Sequence, residues 1–240
     1  MQFILEIERR RSAADKPYTL TAVYEGDGSA TVALALTELN ADSSRRDING
    51  APFEPIRWEC SCLQKKCGAC AMVISGRPML ACDAKLEAVA KRGKITVAPL
   101  KKFPPVADLI VDREPVFKAL AEARLWLENS GSVPAENTDI AFEASRCLQC
   151  GCCLEVCPNF WAGGDFFGMS AAVPMTRLLA AADSAERGEL SAQYRKHVYN
   201  GCGKSLACRN ICPAGIDADR LLANSNAAAL WKRRFGSGKK

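Results

Sequence analysis

Apolar and polar positions alternate at the start of the chain, with Phe3, Leu5 and Ile7 on one side of a two-residue repeat. That period predicts a strand over Gln2–Arg9. Tyr18–Tyr24, Met72–Ile74 and Lys94–Ala98 read as further strands, and Gly26-Asp27-Gly28 as a turn. Thr31–Asn40 carries Val32, Leu34, Leu36 and Leu39 and runs into a polar stretch, so it is predicted helical. Beyond Pro104-Pro105 the pattern changes. Pro115–Asn129 opens with proline in a first turn and carries Phe117, Leu120, Leu125 and Leu127. Met175–Ala182 and Asp217–Phe235 also read as helices. A double proline continues neither a helix nor a central strand, so Leu100–Pro105 reads as a linker. The expected organisation is α+β: a mixed domain over residues 1–103 and a helical domain over 104–240.

Bulk properties narrow the function. The 240 residues carry a net charge of +5, a mild excess without the dense basic stripe that nucleic-acid binding requires. No apolar run approaches the ~20 residues that span a bilayer. Acidic residues interrupt the short apolar start, which does not read as a signal peptide. Any membrane contact is therefore expected through a partner or a surface.

Cysteine changes the picture. There are thirteen, against one histidine, His197. An odd, clustered set without an export signal points to metal rather than disulfides. Cys62-x4-Cys67-x2-Cys70, followed by Cys82, has the plant-type [2Fe–2S] spacing. A tight loop presents three thiolates, and a neighbouring segment brings the fourth. Cys60 has no matching spacing and reads as a spare. A zinc site is the alternative, but zinc favours paired C-x2-C units, and only Cys67/Cys70 form one here.

Cys147-x2-Cys150-x2-Cys153-x3-Cys157-Pro158 is the bacterial ferredoxin run, whose fourth cysteine serves the other cluster in two-cluster ferredoxins. Cys152 is off-register and reads as a packed thiol. The third group departs from that run: Cys202-x2-Ser205-x2-Cys208-x3-Cys212-Pro213 has serine in place of the second cysteine. By the crossed-ligand rule Cys147, Cys150, Cys153 and Cys212 hold a [4Fe–4S] cluster. Cys157, Cys202 and Cys208 are then left to hold another with three thiolates, which suits [3Fe–4S]. A Ser205 alkoxide is a poor match beside soft thiolates, although it offers an oxygen to a fourth iron.

With these motifs the chain resembles the iron–sulfur subunit of the succinate:quinone oxidoreductase family, from about Gln2 to Phe235. Further matching stretches are Cys67-Gly68-Ala69-Cys70-Ala71-Met72, Leu80-Ala81-Cys82, Asp108-Leu109-Ile110-Val111-Asp112 and Cys157-Pro158-Asn159-Phe160-Trp161. The resemblance implies an N-terminal β-grasp plant-type ferredoxin domain followed by an all-α bacterial-ferredoxin-like domain. It also implies partners: a flavoprotein subunit with FAD and the dicarboxylate site, and one or two membrane anchor subunits that bind quinone and often haem b. The chain itself would be peripheral on the cytoplasmic face of the inner (cell) membrane, relaying electrons with no bond chemistry of its own on succinate. Lys65 and Lys66, and Lys204 and Arg209, lie beside ligands, where positive charge raises a cluster's potential.

Several positions depart from the family pattern. Gly203 stands where many relatives have a histidine near quinone, and Trp161 is followed by Ala162 rather than a second tryptophan. Both departures favour menaquinone, and hence fumarate reduction, over ubiquinone. Trp161 and Lys204 remain the quinone-facing candidates. Lys65 replaces a common loop glycine. His197 reads as structural, with a proton relay as the alternative. Trp231-Lys232-Arg233-Arg234-Phe235, with Lys239 and Lys240, reads as a solvated tail, with anionic headgroups as an alternative contact. Two other functions compete: the electron-transfer subunit of a soluble thiol-dependent fumarate reductase or heterodisulfide-reductase-like complex, and a zinc-stabilised binding module.

Overall fold

The structure is a computed structural model that describes residues 1–126, 132–182 and 184–231. The described residues form two compact units: Met1–Asp112 with Cys150–Cys152, and Arg113–Gln149 with the chain from Cys153 onward.

The first unit is built on a five-stranded sheet. β1 (Gln2–Arg9) pairs antiparallel with β2 (Tyr18–Glu25), setting Leu5 opposite Ala22. α1 (Val32–Ala41) follows and is capped by Thr31, whose hydroxyl accepts the Leu34 N–H at 3.2 Å. It buries Val32, Ala35 and Leu36, while Leu34 faces out. β3 (Ala71–Ile74) and β4 (Arg77–Leu80) make a hairpin, α2 (Leu86–Val89) is one turn, and β5 (Lys94–Ala98) runs parallel to β1. The strand order is β2-β1-β5-β3-β4. Leu5, Ile7, Leu36, Ile74 and Ile95 are fully buried and make the core. The sequence pattern omits β4 because Pro78 interrupts it. That proline is tolerated because β4 is an edge strand.

Pro105 opens a small ribbon of β6 (Pro105–Ala107) and β7 (Ile110–Val111), and the division by contacts falls after it, at Asp112. Asp108, at the tip, has φ 44°, and its buried carboxylate accepts the N–H groups of Arg10 and Arg57 at 2.9 and 3.0 Å.

The second unit is helical among its described residues. α3 (Glu114–Glu122) starts with proline in the first turn, as expected, but stops well before Asn129. Ala123 is buried and Arg124 turns left-handed with φ 50°. Leu127 and Asn129 lie outside the described residues. α4 (Thr138–Ser145), the single turn α5 (Cys152–Glu155), α6 (Gly168–Ala181) and α7 (Ser184–Tyr194) follow. A π-helical turn (Arg195–Tyr199), α8 (Ala218–Asn226) and a second π turn (Ala227–Trp231) complete it. α6 begins seven residues before the expected Met175. Pro174 sits inside α6. α6 is the central helix, with Ala171, Met175 and Leu179 buried among α4, α7 and α8. Buried polar groups on it are paired: Thr176 Oγ1 lies 2.7 Å from Ser225 Oγ. The expected Asp217–Phe235 helix is divided at Asn226, and its last four residues, like the basic tail, lie outside the described residues.

Candidate metal centres

The first centre is shaped by the β3–β4 hairpin. Cys70 immediately precedes β3 and Cys82 follows β4, and the Ala81 N–H donates to the Cys70 carbonyl at 3.0 Å. Pairing of Ala71 with Leu80 therefore brings these two cysteines together. Cys62 and Cys67 lie in the loop before β3. Leu63, Lys65 and Gly68 adopt left-handed φ values of 52, 59 and 77° there. These bends turn backbone N–H groups inward. Gln64 and Lys66 donate to Cys62 Sγ at 3.4 and 3.3 Å, and Lys65 donates to Cys82 Sγ at 3.3 Å.

The electrostatics follow from that geometry. The Gln64 and Lys66 N–H groups hold the Cys62 thiol down, at about 7. Burial pushes the Cys70 thiol up to about 12, and its neighbours Cys82 and Cys67 add to the rise. A set of convergent sulfurs, some already aimed at by N–H donors, fits a net-positive iron core that deprotonates its ligands. Cys60 is exposed.

The third centre lies within the helical unit. Cys157, Cys202 and Cys208 line one cavity with Ser205, Phe166 and Cys153, the last of which the crossed-ligand rule gives to the neighbouring cluster. Local contacts explain the convergence. The Asn159 side-chain amide donates to the Gly201 carbonyl at 2.6 Å, tying the Cys157-Pro158 segment to the residue before Cys202. A Cβ at Gly201 would sit 2.5 Å from Phe166 Cδ2, so only glycine allows that ring to close the cavity wall. Cys202 donates its N–H to the Val198 carbonyl at 3.0 Å, hanging from the π turn. Burial pushes the Cys208 thiol up, with Cys157 and Cys202 adding to it. Ser205 Oγ accepts the Ala207 N–H at 3.4 Å.

The charged neighbours are already engaged. Lys204 Nζ stands 4.7 Å above the Tyr199 ring, and Arg209 Nε pairs with Asp219 Oδ2 at 3.1 Å. Trp161 is 62% exposed, and its indole covers Gly164. His197 is fully buried, stacked on Phe167 at 4.0 Å, with Nδ1 2.9 Å from the Asp165 carbonyl.

For the second group, Cys147 follows α4, and Cys147, Cys153 and Cys212 pack against the helical core, as Cys208 of the third group does. Cys150 and Cys152 are buried and count with the first unit. Gly151 between them has φ 86°, and a Cβ there would meet Phe103 at 3.0 Å. Among the described residues no three His, Cys, Asp or Glu side chains are gathered as a single-ion site. Sequence reasoning missed two supporting contacts, that of Asn159 with Gly201 and that of Asp83, whose Oδ2 lies 2.7 Å from Lys65 Nζ. Neither belongs to a ligand spacing, and only tertiary structure brings each to its partner.

Two family models match the chain. A 2Fe-2S iron-sulfur cluster binding domain matches residues 4–118, and a 4Fe-4S dicluster domain matches residues 143–216. The succinate dehydrogenase iron-sulfur subunit of Bacillus subtilis is 31% identical over 96% of this chain and 95% of its own. The chain belongs to the succinate dehydrogenase/fumarate reductase iron–sulfur subunit family. The fumarate reductase iron-sulfur subunit of Wolinella succinogenes is 26% identical over 89% of this chain and 90% of its own. An uncharacterized iron-sulfur protein of Methanocaldococcus jannaschii is 29% identical over 95% of this chain but only 44% of its own. Among solved structures, one chain of the Mycobacterium smegmatis Sdh1 complex in the apo form has a TM-score of 0.69 at 21% identity, covering 98% of this chain and 97% of its own. That likeness is one of fold. As a member of this family the chain is an iron–sulfur electron-transfer subunit. No helix among the described residues is long and apolar enough to cross a membrane.

Proposed function

We propose that this chain relays electrons between an FAD-containing flavoprotein subunit and membrane quinone through [2Fe–2S], [4Fe–4S] and [3Fe–4S] clusters. The ligands are Cys62, Cys67, Cys70 and Cys82 for the first cluster, and Cys147, Cys150, Cys153 and Cys212 for the second. Cys157, Cys202 and Cys208 hold the third. The first lies in a β-grasp plant-type ferredoxin domain, and the others in an all-α bacterial-ferredoxin-like domain. One observation supports the reading: Cys157 shares a cavity with Cys202 and Cys208, with Ser205 at the place of a further thiolate, and Cys153, which the crossed-ligand rule gives to the second cluster, borders it. When bound, the clusters accept and pass single electrons. The protein's own part is to hold the sulfurs, aim N–H donors at them and exclude water.

The partners are the flavoprotein and one or two membrane anchor subunits, of the kind that often carries haem b. The complex sits on the cytoplasmic face of the cell membrane, and quinone docks near the third cluster, facing Trp161 and Lys204. Gly203 and Ala162 favour menaquinone and fumarate reduction. Low-temperature spin resonance of the anaerobically purified complex tests the cluster set. An oxidised [3Fe–4S] signal supports it, and stoichiometric zinc without acid-labile sulfide overturns it. A second reading replaces the membrane partner with a soluble thiol-dependent one. Co-purification with a hydrophobic anchor subunit separates the two.

A further inference from the structure

Lys65 touches the fourth-ligand segment of the first centre at two points. Its backbone N–H reaches Cys82 Sγ at 3.3 Å, and its Nζ lies 2.7 Å from Asp83 Oδ2. Its φ of 59° is a conformation that suits glycine better. A glycine would supply the same N–H at lower backbone cost, so the ammonium is the part that glycine lacks. Both side chains are about half exposed, at 45% and 47%, and such pairs add little to stability. Their charges nevertheless stand beside a sulfur of a net-negative group, where each sign acts on the added electron.

We propose that Lys65 and Asp83 are positioning residues that act as a charge-cancelling pair on the first cluster. The ammonium raises the reduction potential, the neighbouring carboxylate lowers it, and together they hold it between the two extremes. The inference rests on the reading of Cys62, Cys67, Cys70 and Cys82 as [2Fe–2S] ligands. It also corrects the view of Lys65 as an unopposed positive lever. Lys66, one residue on, donates its N–H to Cys62 instead.

The test uses the full chain with all clusters built anaerobically, and measures the [2Fe–2S] reduction equilibrium in wild type, Lys65→Met, Asp83→Asn and the double variant. Methionine keeps a Cβ in the left-handed position, so the backbone cost is unchanged and only the charge is lost. Lys65→Met is expected to shift the equilibrium about threefold towards the oxidised form, and Asp83→Asn about threefold towards the reduced form. For a one-electron couple each is about 28 mV. The double variant is expected close to wild type. A purely structural role would move both single variants the same way or neither, and that result overturns the proposal. If Lys65→Met fails to fold, Asp83→Asn alone decides, because only an upward shift agrees. A wild type with no [2Fe–2S] spectrum overturns the ligand reading itself, and the proposal with it.

Discussion

Arg9 Nε lies 3.0 Å from Asp108 Oδ1, with the two side chains only 4% and 1% exposed. Arg57 reaches the other carboxylate oxygen at 3.1 Å, and the remaining Arg9 guanidinium N–H groups donate to the carbonyls of Glu54 and Pro55. One buried carboxylate thus joins the end of β1, the segment leading to the first ligand loop and the β6–β7 ribbon. Breaking such a pair from one side leaves an uncompensated buried charge. Asp108→Asn is therefore expected to cost about 3 kcal/mol in the stability of the first unit. Denaturant unfolding followed by the [2Fe–2S] absorption checks it.

The same carboxylate gives a pH dependence. Burial works to raise its pKa, but Arg9 and the N–H groups of Arg57 and Arg10 outweigh burial and hold it below the usual range. A folded-state value below the unfolded one, about 3.9, contributes stability above that pH, and the contribution is lost as pH falls through the folded value. The stability gap between wild type and Asp108→Asn is expected to be constant at neutral pH and to narrow below about pH 4. Paired unfolding curves across that range would show it, and a gap that widens in acid would contradict it.

Ser205→Cys supplies a fourth thiolate to the third centre. The variant is expected to convert the [3Fe–4S] signal into that of a four-iron cluster of lower potential, seen by spin resonance of oxidised and reduced samples. An unchanged three-iron spectrum means that the register of the third group is wrong.

Cys82→Ala removes the ligand that follows β4. Selective loss or weakening of the [2Fe–2S] signal is expected, with the other two retained, because Cys82 belongs to the first unit alone. Loss of all three signals from a chain that still folds would contradict the domain division.

Gly201→Ala tests the wall of the third cavity. The new methyl would stand 2.5 Å from Phe166, which lines the same cavity as Cys157, Cys202 and Cys208, so the wall must shift. Overpacking of this kind costs about 1–3 kcal/mol. The [3Fe–4S] signal is expected to fall at unchanged [2Fe–2S] content, which comparative spin quantitation would measure.

Alternation made β1, β2 and β5 legible in the sequence, because each is half-buried and one face is apolar. α1 was legible too, although Leu34 counted towards its apolar face and in fact looks outward. Two elements were missed in whole or in part: β4, an edge strand that contains Pro78, and the first turns of α6, which carries Pro174 in its interior. α4 and α7 went unread, since their buried positions are mostly small or scattered. Cysteine spacing proposed the ligands, and the structure brings Cys157, Cys202 and Cys208 to one cavity, which Cys153 also borders. What spacing cannot carry is the support around them. The Asn159–Gly201 bridge and the Lys65–Asp83 contact join residues from separate segments, and no local pattern announces either.

The Asn159 bridge crosses forty-two positions, and the cavity beside it is walled by residues from both ends of that span. During synthesis the amino-terminal loop can close as soon as its hairpin leaves the ribosome, whereas the downstream pocket must wait until α6 and α7 have been made and docked. A molecule stalled or cut between Asn159 and Gly201 would carry its first inorganic core and lack the last, making partial occupancy a timestamp of unfinished assembly.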